Sequence, residues 1–273
     1  MTFPGSDLAG PPSHMRRVLA PRSLGLLAVG FYLCFMGLII GALATFTGVE
    51  NLLAALFSSE TVSAAGLSLG TATCATAASL LVAIPAGYAM AHRRLNVVVE
   101  TILDLPMVLP PIAVGIGLLV FFQTRFGDFI EEHALRFVFT RWGIVLAQFA
   151  LTVGFALRLV KDAFDGLDVR FELTARTLGA GPWAAFRYVA LPLARRGIAT
   201  AAVLTWARAV GDFGATVLVA GATRNRTETL PIAIFLNLSA VRIEQAVAVA
   251  LVLLGFAFVA LLLVRRMMTG AGR

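Results

Sequence analysis

The sequence predicts an all-α polytopic membrane protein with six transmembrane helices and both termini in the cytoplasm. Three observations carry that expectation. Hydrophobic residues fill 59% of the 273 positions and charged residues only 14%, whereas soluble domains carry about 25% charge, so a soluble enzyme is excluded. Several runs longer than about 18 residues hold almost no charge, and a helix needs roughly 20 residues to cross a hydrocarbon core. Arginine and lysine are spread unevenly over the connecting segments, which sets the orientation. The apolar runs are continuous, which excludes a β-barrel, whose strands alternate apolar and polar residues.

The chain opens with a polar tail, 1–23, rich in Pro, Gly and Ser. The apolar run that follows exceeds the roughly 7–15 residues of a signal-peptide core, so it is read as an uncleaved first span, Leu24–Phe46. Further spans are expected at Val62–Ala91, Val97–Phe122, Trp142–Lys161, Gly197–Gly221 and Ile243–Val264, each a long apolar stretch bounded by charge or turn residues. The membrane domain is thus 24–264, with 265–273 as a second cytoplasmic tail. With the N-terminus inside, fifteen of the 22 basic residues fall on inside segments, among them Arg16, Arg17, Arg93, Arg94, Arg265, Arg266 and Arg273. Six fall outside, and Arg208 lies within a span. The net charge of +7 is therefore dispersed over loops, which argues against a nucleic-acid partner and fits anionic lipid head groups.

Several short patterns invite chemistry that the context denies. Cys34, Cys74, His14, His92 and His133 show no metal-ligand spacing and read as filler. Gly66-Leu67-Ser68-Leu69-Gly70 has the letters of a nucleophile elbow, which requires a strand-to-helix turn and a histidine; inside a span, the glycines read as sites of close helix approach, like Gly37 and Gly41. Asp104 and Asp212 are two intramembrane carboxylates that could share a proton as in an aspartyl protease, but the Tyr-Asp and Gly-x-Gly-Asp signatures of intramembrane proteases are absent. Asp212-Phe213-Gly214 lacks the remaining kinase motifs. Lys161 is the only lysine and no Walker A motif occurs, so the chain is not itself an ATPase. No cofactor or metal is expected on it.

The segment 162–196 is the longest inside connection. It predicts two short amphipathic helices broken at Gly179 to Gly181, with Pro182 starting the second. Leu173, Leu178, Trp183 and Phe186 form an apolar face that either folds back on the membrane domain or docks into a cytoplasmic partner. The third span carries Pro106, Pro110 and Pro111. These remove backbone donors, so the helix is irregular there, and such backbone is tolerated at membrane depth only where protein or a water-filled cavity surrounds it. That marks a translocation pathway, against a kinked packing helix as the plainer alternative. Arg208 and Asp212, four apart, are expected to neutralise each other on one helix face; the other reading has Arg208 lining the pathway, where it would offset an oxyanion's charge.

From Gly179 the chain runs nine residues to Val189, then Ala190, Leu191 and Pro192, and this spacing resembles the cytoplasmic signature of the permease subunits of binding-protein-dependent ABC importers. The opening Glu-Ala-Ala of that signature is replaced by Leu173, Thr174 and Ala175, with Glu172 one place early. The resemblance implies the type I importer permease fold. It makes 162–196 a loop docked on a separate ATPase through Glu172, Ala175, Arg176, Thr177, Leu178, Gly179 and Pro192. It also implies two ATPase copies carrying ATP and Mg, an external binding protein, a second copy of the permease, and the cytoplasmic membrane of a bacterium or archaeon. Two further stretches, 104–115 and 207–217 with Ala220-Gly221 and Thr229 to Ile234, resemble the molybdate, tungstate and sulfate permeases, with Asp212 where Glu is usual. They imply transport of a tetrahedral oxyanion, most like molybdate, along Pro106, Pro110, Pro111, Arg208, Asp212, Gly214 and Thr216. An ion-coupled carrier is the rival from another class, and such carriers often show inverted repeats; no convincing repeat is visible.

Overall fold

The structure is a computed structural model that describes residues 21–92 and 96–269. His14, Arg16, Arg17, Arg93, Arg94 and Arg273 lie outside the described residues, as do positions 1–20 of the expected tail. Every regular element among the described residues is a helix. The chain divides into two units, Met1–Thr45 and Phe46–Arg273. The first is carried by α1 (Pro21–Thr47), an apolar helix in which Phe31 and Phe35 stack at 6.4 Å and Thr45 hydrogen-bonds back to the Gly41 carbonyl at 2.9 Å.

The second unit begins with the short α2 (Val49–Leu56) and the long α3 (Ser59–His92). The chain continues through α4 (Val97–Val108), α5 (Pro111–Phe122), α6 (Arg125–His133) and α7 (Arg141–Asp165). The segment that follows holds α8 (Arg170–Thr177) and α9 (Pro182–Ala185); α9 passes through a π turn at Phe186–Ala190 into α10 (Leu191–Val210). The chain ends with α11 (Gly214–Ala220), α12 (Leu230–Ser239) and α13 (Ile243–Thr269). Four helices, α1, α3, α7 and α13, are each long and apolar enough to cross a membrane. Two bent pairs raise the number to six: α4 with α5, bent by 107°, and the helix ending at Val210 with α11, bent by 59°.

The core is built from small residues, because helices in lipid gain no hydrophobic drive to associate and must gain close van der Waals contact instead. α3 buries Ala72, Ala75, Ser79, Ala83 and Gly87 along one face, spaced three and four apart as one helix stripe requires. That stripe lies on α7: the Ser79 and Thr152 hydroxyls meet at 3.1 Å, and a Cβ on Gly87 would sit 3.0 Å from both the Lys161 nitrogen and Val160 Cγ1. α10 closes the trio. A Cβ on Gly197 would meet the Ala163 Cβ at 2.5 Å, and Gln148 Nε2 donates to the Ala209 carbonyl at 3.0 Å. Ala83, Ala156, Leu157, Val160, Phe164, Phe186, Ala190, Ala194 and Ala201 form the resulting core.

Two expectations are corrected. The segment 162–196 does not hold two separate short helices: the second, starting at Pro182 as predicted, runs on through the π turn into α10, so it is the cytoplasmic extension of the helix that carries the fifth span. The glycine pair at Gly66 and Gly70 is not a point of close approach within the second unit, for a Cβ at either meets nothing within 4 Å. Ser68, between these two, is fully buried and accepts the Leu230 N–H at 2.7 Å, which satisfies a free donor at the start of α12. Glycines tight against a neighbouring helix include Gly87, Gly115, Gly154, Gly197 and Gly214.

Adding a methyl at one of these should overpack the core at about 1–3 kcal/mol. Gly197→Ala is expected to lower the unfolding temperature of the detergent-purified protein, while Gly66→Ala, in an open helical position, should leave it unchanged or slightly higher. Equal losses in the two variants would contradict this packing.

Candidate functional site

The two bends meet, and their chemistry explains why. Leu109 precedes Pro110, and Pro110 precedes Pro111; a residue before proline is pushed into extended conformation, and both are extended, with ψ 135° at Leu109 and 138° at Pro110. Pro111 then takes the first position of α5, where its missing N–H costs nothing. On the other chain segment α10 stops at Val210, and Asp212 reaches forward over the start of α11. Its Oδ2 accepts the Thr216 N–H at 3.1 Å and the Thr216 hydroxyl at 2.7 Å, while Oδ1 lies 3.4 Å from the Ala215 nitrogen. Asp212 is 3% exposed, so the carboxylate supplies the acceptors that the first turn of α11 would otherwise lack.

Glycine lets these two half-helices touch. A Cβ on Gly214 would stand 3.0 Å from the Pro111 Cβ and 3.1 Å from the Ile112 nitrogen, and one on Gly115 would stand 3.1 Å from the Ala215 Cα and the Leu218 Cβ. Pro111, Asp212, Gly214 and Thr216 are thereby gathered at one junction, with Pro110 at its bend. Pro106 is not part of it; it lies inside α4 and packs near Gly154 of α7, 3.7 Å from where a Cβ would be.

Arg208 and Asp212 form no ion pair. Because α10 ends at Val210, Asp212 leaves the helical face on which a spacing of four would set it beside Arg208. The Arg208 guanidinium carbon instead lies 5.5 Å from the Phe155 ring centre, and its Nε is buried without a hydrogen-bond partner. Asp104 is likewise not paired with Asp212. It binds Arg158 at 3.1 Å, and Arg158 also approaches Asp162 at 3.9 Å. The two carboxylates of the protease reading therefore belong to separate networks. No group of three metal-ligating side chains occurs among the described residues.

The segment 162–196 forms a second site. α8 closes with two reversed bonds, Ala180 N–H to the Ala175 carbonyl at 3.0 Å and Gly179 N–H to the Arg176 carbonyl at 3.1 Å, and Gly179 has φ +96°. This is a Schellman ending, which a glycine at that position permits. Arg176, Thr177, Leu178, Gly179 and Pro192 are exposed and Ala175 is half-buried. Of the expected apolar face, Leu173, Leu178 and Trp183 are exposed, Leu178 by 83%, whereas Phe186 turns inward against Tyr88 at 4.6 Å. Glu172 also faces inward. It is 8% exposed and accepts the Tyr88 hydroxyl at 2.7 Å, with His92 Nε2 at 3.2 Å from its other oxygen. Tyr88 and His92 were not expected at this site; a tyrosine and a histidine four apart at the end of an apolar helix were the only sequence signal.

Residues 79–269 match the family described as binding-protein-dependent transport system inner membrane component. The chain belongs to that family. It is the permease subunit of an ABC importer, a multi-pass membrane protein. The probable molybdenum ABC transporter permease protein of Haloferax volcanii is 35% identical over 91% of this chain and 91% of its own length. The molybdenum transport system permease protein ModB of Escherichia coli is 39% identical over 50% of this chain and 61% of its own. Among solved structures, a bacterial alginate ABC transporter in complex with an alginate pentasaccharide-bound periplasmic protein superposes with a TM-score of 0.65 at 19% identity, covering 90% of this chain and 94% of that one.

Removing the carboxylate that starts α11 should loosen this permease locally. Asp212→Ala is expected to raise amide hydrogen exchange through Gly214–Ala220 by about tenfold, the size of a lost helix cap of roughly 0.5–2 kcal/mol, and Asp212→Asn should recover most of the protection. Unchanged exchange in Asp212→Ala would show that the cap is not what holds the half-helix.

Proposed function

We propose that this permease carries a tetrahedral oxyanion, molybdate first, tungstate or sulfate next, along a pathway at the junction of its two broken spans. One observation supports this reading most. Arg208 is a cation within a span, beside the junction, whose Nε is buried without a hydrogen-bond partner and which Asp212 meets only through space, without an ion pair. An unpaired charge there costs about 2.5–3.5 kcal/mol or more, and a passing dianion would offset it. The names of the relatives favour the same cargo. The alginate transporter shares the scaffold, so the fold itself does not choose the substrate; the few polar groups at the junction and the external binding protein do.

In this reading both termini and the segment 162–196 face the cytoplasm, and the pathway lies between two copies of the chain. Two ATPase subunits, which hold the ATP and Mg, dock on the loop at Ala175, Arg176, Thr177, Leu178, Gly179 and Pro192. An oxyanion-binding protein delivers the cargo outside. Closure of the ATPase pair draws the loops together and changes the side to which the junction at Pro110, Pro111 and Gly214 opens. Nothing covalent happens to the cargo, and lipid surrounds the assembly.

ATP-driven molybdate uptake into proteoliposomes that hold the permease, its ATPase and its binding protein tests the cargo. Tungstate should compete strongly. Arg208→Gln should lower uptake by about ten- to a hundredfold, an ordinary loss for a charge-assisted contact of roughly 1.5–3 kcal/mol, with the complex still assembled. Uptake that persists without ATP and collapses with the proton gradient would instead mark an ion-coupled carrier. The docking loop has its own test. Gly179→Val forces a β-branched residue to φ +96°, a strain of order 1–3 kcal/mol, with nothing within 4 Å to clash. It should insert normally yet retain the ATPase poorly and hydrolyse ATP more slowly, whereas Gly255→Val, also in open space, should do neither. Full retention by a folded Gly179→Val protein would remove the turn from the mechanism.

A further inference from the structure

The far end of α3 carries a cluster that the transport pathway does not use. Glu172 of α8 is almost wholly buried, and a buried carboxylate is stable only when donors satisfy its lone pairs. Tyr88 gives one at 2.7 Å, and His92 Nε2 lies at 3.2 Å from the second oxygen. The other His92 nitrogen lies 2.9 Å from the Tyr88 carbonyl, so the imidazole is fixed on the same helix turn. The rings pack into one nest: Tyr88 against His92 at 4.3 Å, Phe164 at 5.3 Å and Phe186 at 4.6 Å, with Trp183 on Phe186 at 5.3 Å. Five elements meet there, α3, α7, α8, α9 and the π turn before α10.

The covalent chain alone would tie α8 to only two of them. It hangs from α7 through residues 166–169 and from α10 through the turn at Gly179, and a push on α8 could be absorbed by bending either connection. The carboxylate adds a third attachment, to α3. That helix is 34 residues long, about 50 Å, and its small-residue stripe is packed on α7. Twenty residues before Tyr88, about 30 Å along the axis, Ser68 accepts the Leu230 N–H that starts α12. One continuous helix, missing a backbone donor at Pro85 but held there by its packing on α7, thus runs from the docking loop to the opposite end of the fold.

We infer that Tyr88 and His92 are positioning residues for energy coupling: they clamp Glu172, so that α3 moves with α8 and carries the motion of the ATPase across the membrane to α12. The inference rests on the reading of 162–196 as the ATPase docking loop, and it gives Glu172 an inward role in place of a contact to the partner. Arg176, Leu178 and Trp183 are left to meet the ATPase.

The test uses the complete importer in proteoliposomes, with molybdate as the probe. Tyr88→Phe removes the hydroxyl and keeps the ring packing; Glu172→Gln removes the charge. Both should retain the ATPase within twofold of wild type and keep its hydrolysis stimulated by the binding protein, while molybdate moved per ATP falls at least fivefold. The double variant should be no worse than Glu172→Gln alone, because groups acting as one unit are not additive. Wild-type transport per ATP in a folded Glu172→Gln protein would overturn the clamp. So would loss of the ATPase from Glu172→Gln but not from Tyr88→Phe, which would make the carboxylate a partner contact. If Glu172→Gln fails to fold, Tyr88→Phe decides by the same ratio. A wild-type permease that never retains the ATPase refutes the docking reading itself, and the clamp's part in coupling falls with it.

Discussion

Backbone N–H and C=O groups within hydrocarbon find no water, so wherever a spanning helix breaks, the protein must satisfy or delete the groups set free. This chain does both at one place. At Pro110 and Pro111 it deletes the donors; at Asp212 it supplies a carboxylate to the first turn of the next half-helix. The two solutions depend on each other, because Gly214 can lie against Pro111 and Ile112 only if α10 has already ended and α11 starts anew. A continuous helix through 197–221 would carry Gly214 past the proline bend and would set Arg208 and Asp212 side by side as a neutral pair. The broken one leaves the arginine without a direct acidic partner, with Asp212 acting on it only through space.

The rest of the unit serves to hold that junction. α7 lies at the centre: α3 packs on it through alanines, Gly87 and the Ser79–Thr152 hydroxyl pair, and α10 through Gly197 and Gln148. Ala147, Ala215 and Val219 then seat α11 on the same helix. Close backbone contact makes such a bundle stiff, since small residues leave no side chains to rearrange. Stiffness lets a displacement at one end of the bundle reach the other instead of being absorbed between them.

Much of this was legible in the sequence, for physical reasons that also explain what was not. Spans at 24–46, 62–91, 142–161 and 243–264 match α1, α3, α7 and α13 closely, because an uninterrupted apolar run of that length has one stable form in lipid. The proline bend in the third span is announced by its letters. The break at Gly211 to Phe213 is not: one glycine and one aspartate within an apolar run also fit an unbroken helix, and only the capping bonds distinguish them. α2, α6 and α12 are too short to stand out from their loops. The inward turn of Glu172 could not be read at all, since its partner Tyr88 lies 84 residues earlier and nothing local specifies that meeting. Gly179, by contrast, was placed correctly at a turn because positive φ is a local demand.

In the function proposed above, the meeting of the two bends is the gate of the pathway and ATP changes the side to which it opens. Ile112, which touches Gly214 across the junction, reports on it directly. In a protein with Cys34 and Cys74, both exposed and free, replaced by serine, a cysteine at Ile112→Cys can be probed with a membrane-impermeant thiol reagent added to one side of sealed proteoliposomes. With a gate at this junction, the position reacts from the cytoplasmic side in the nucleotide-free importer and from the external side when ATP is trapped. Reaction from the same side in both states, or from neither, would contradict it.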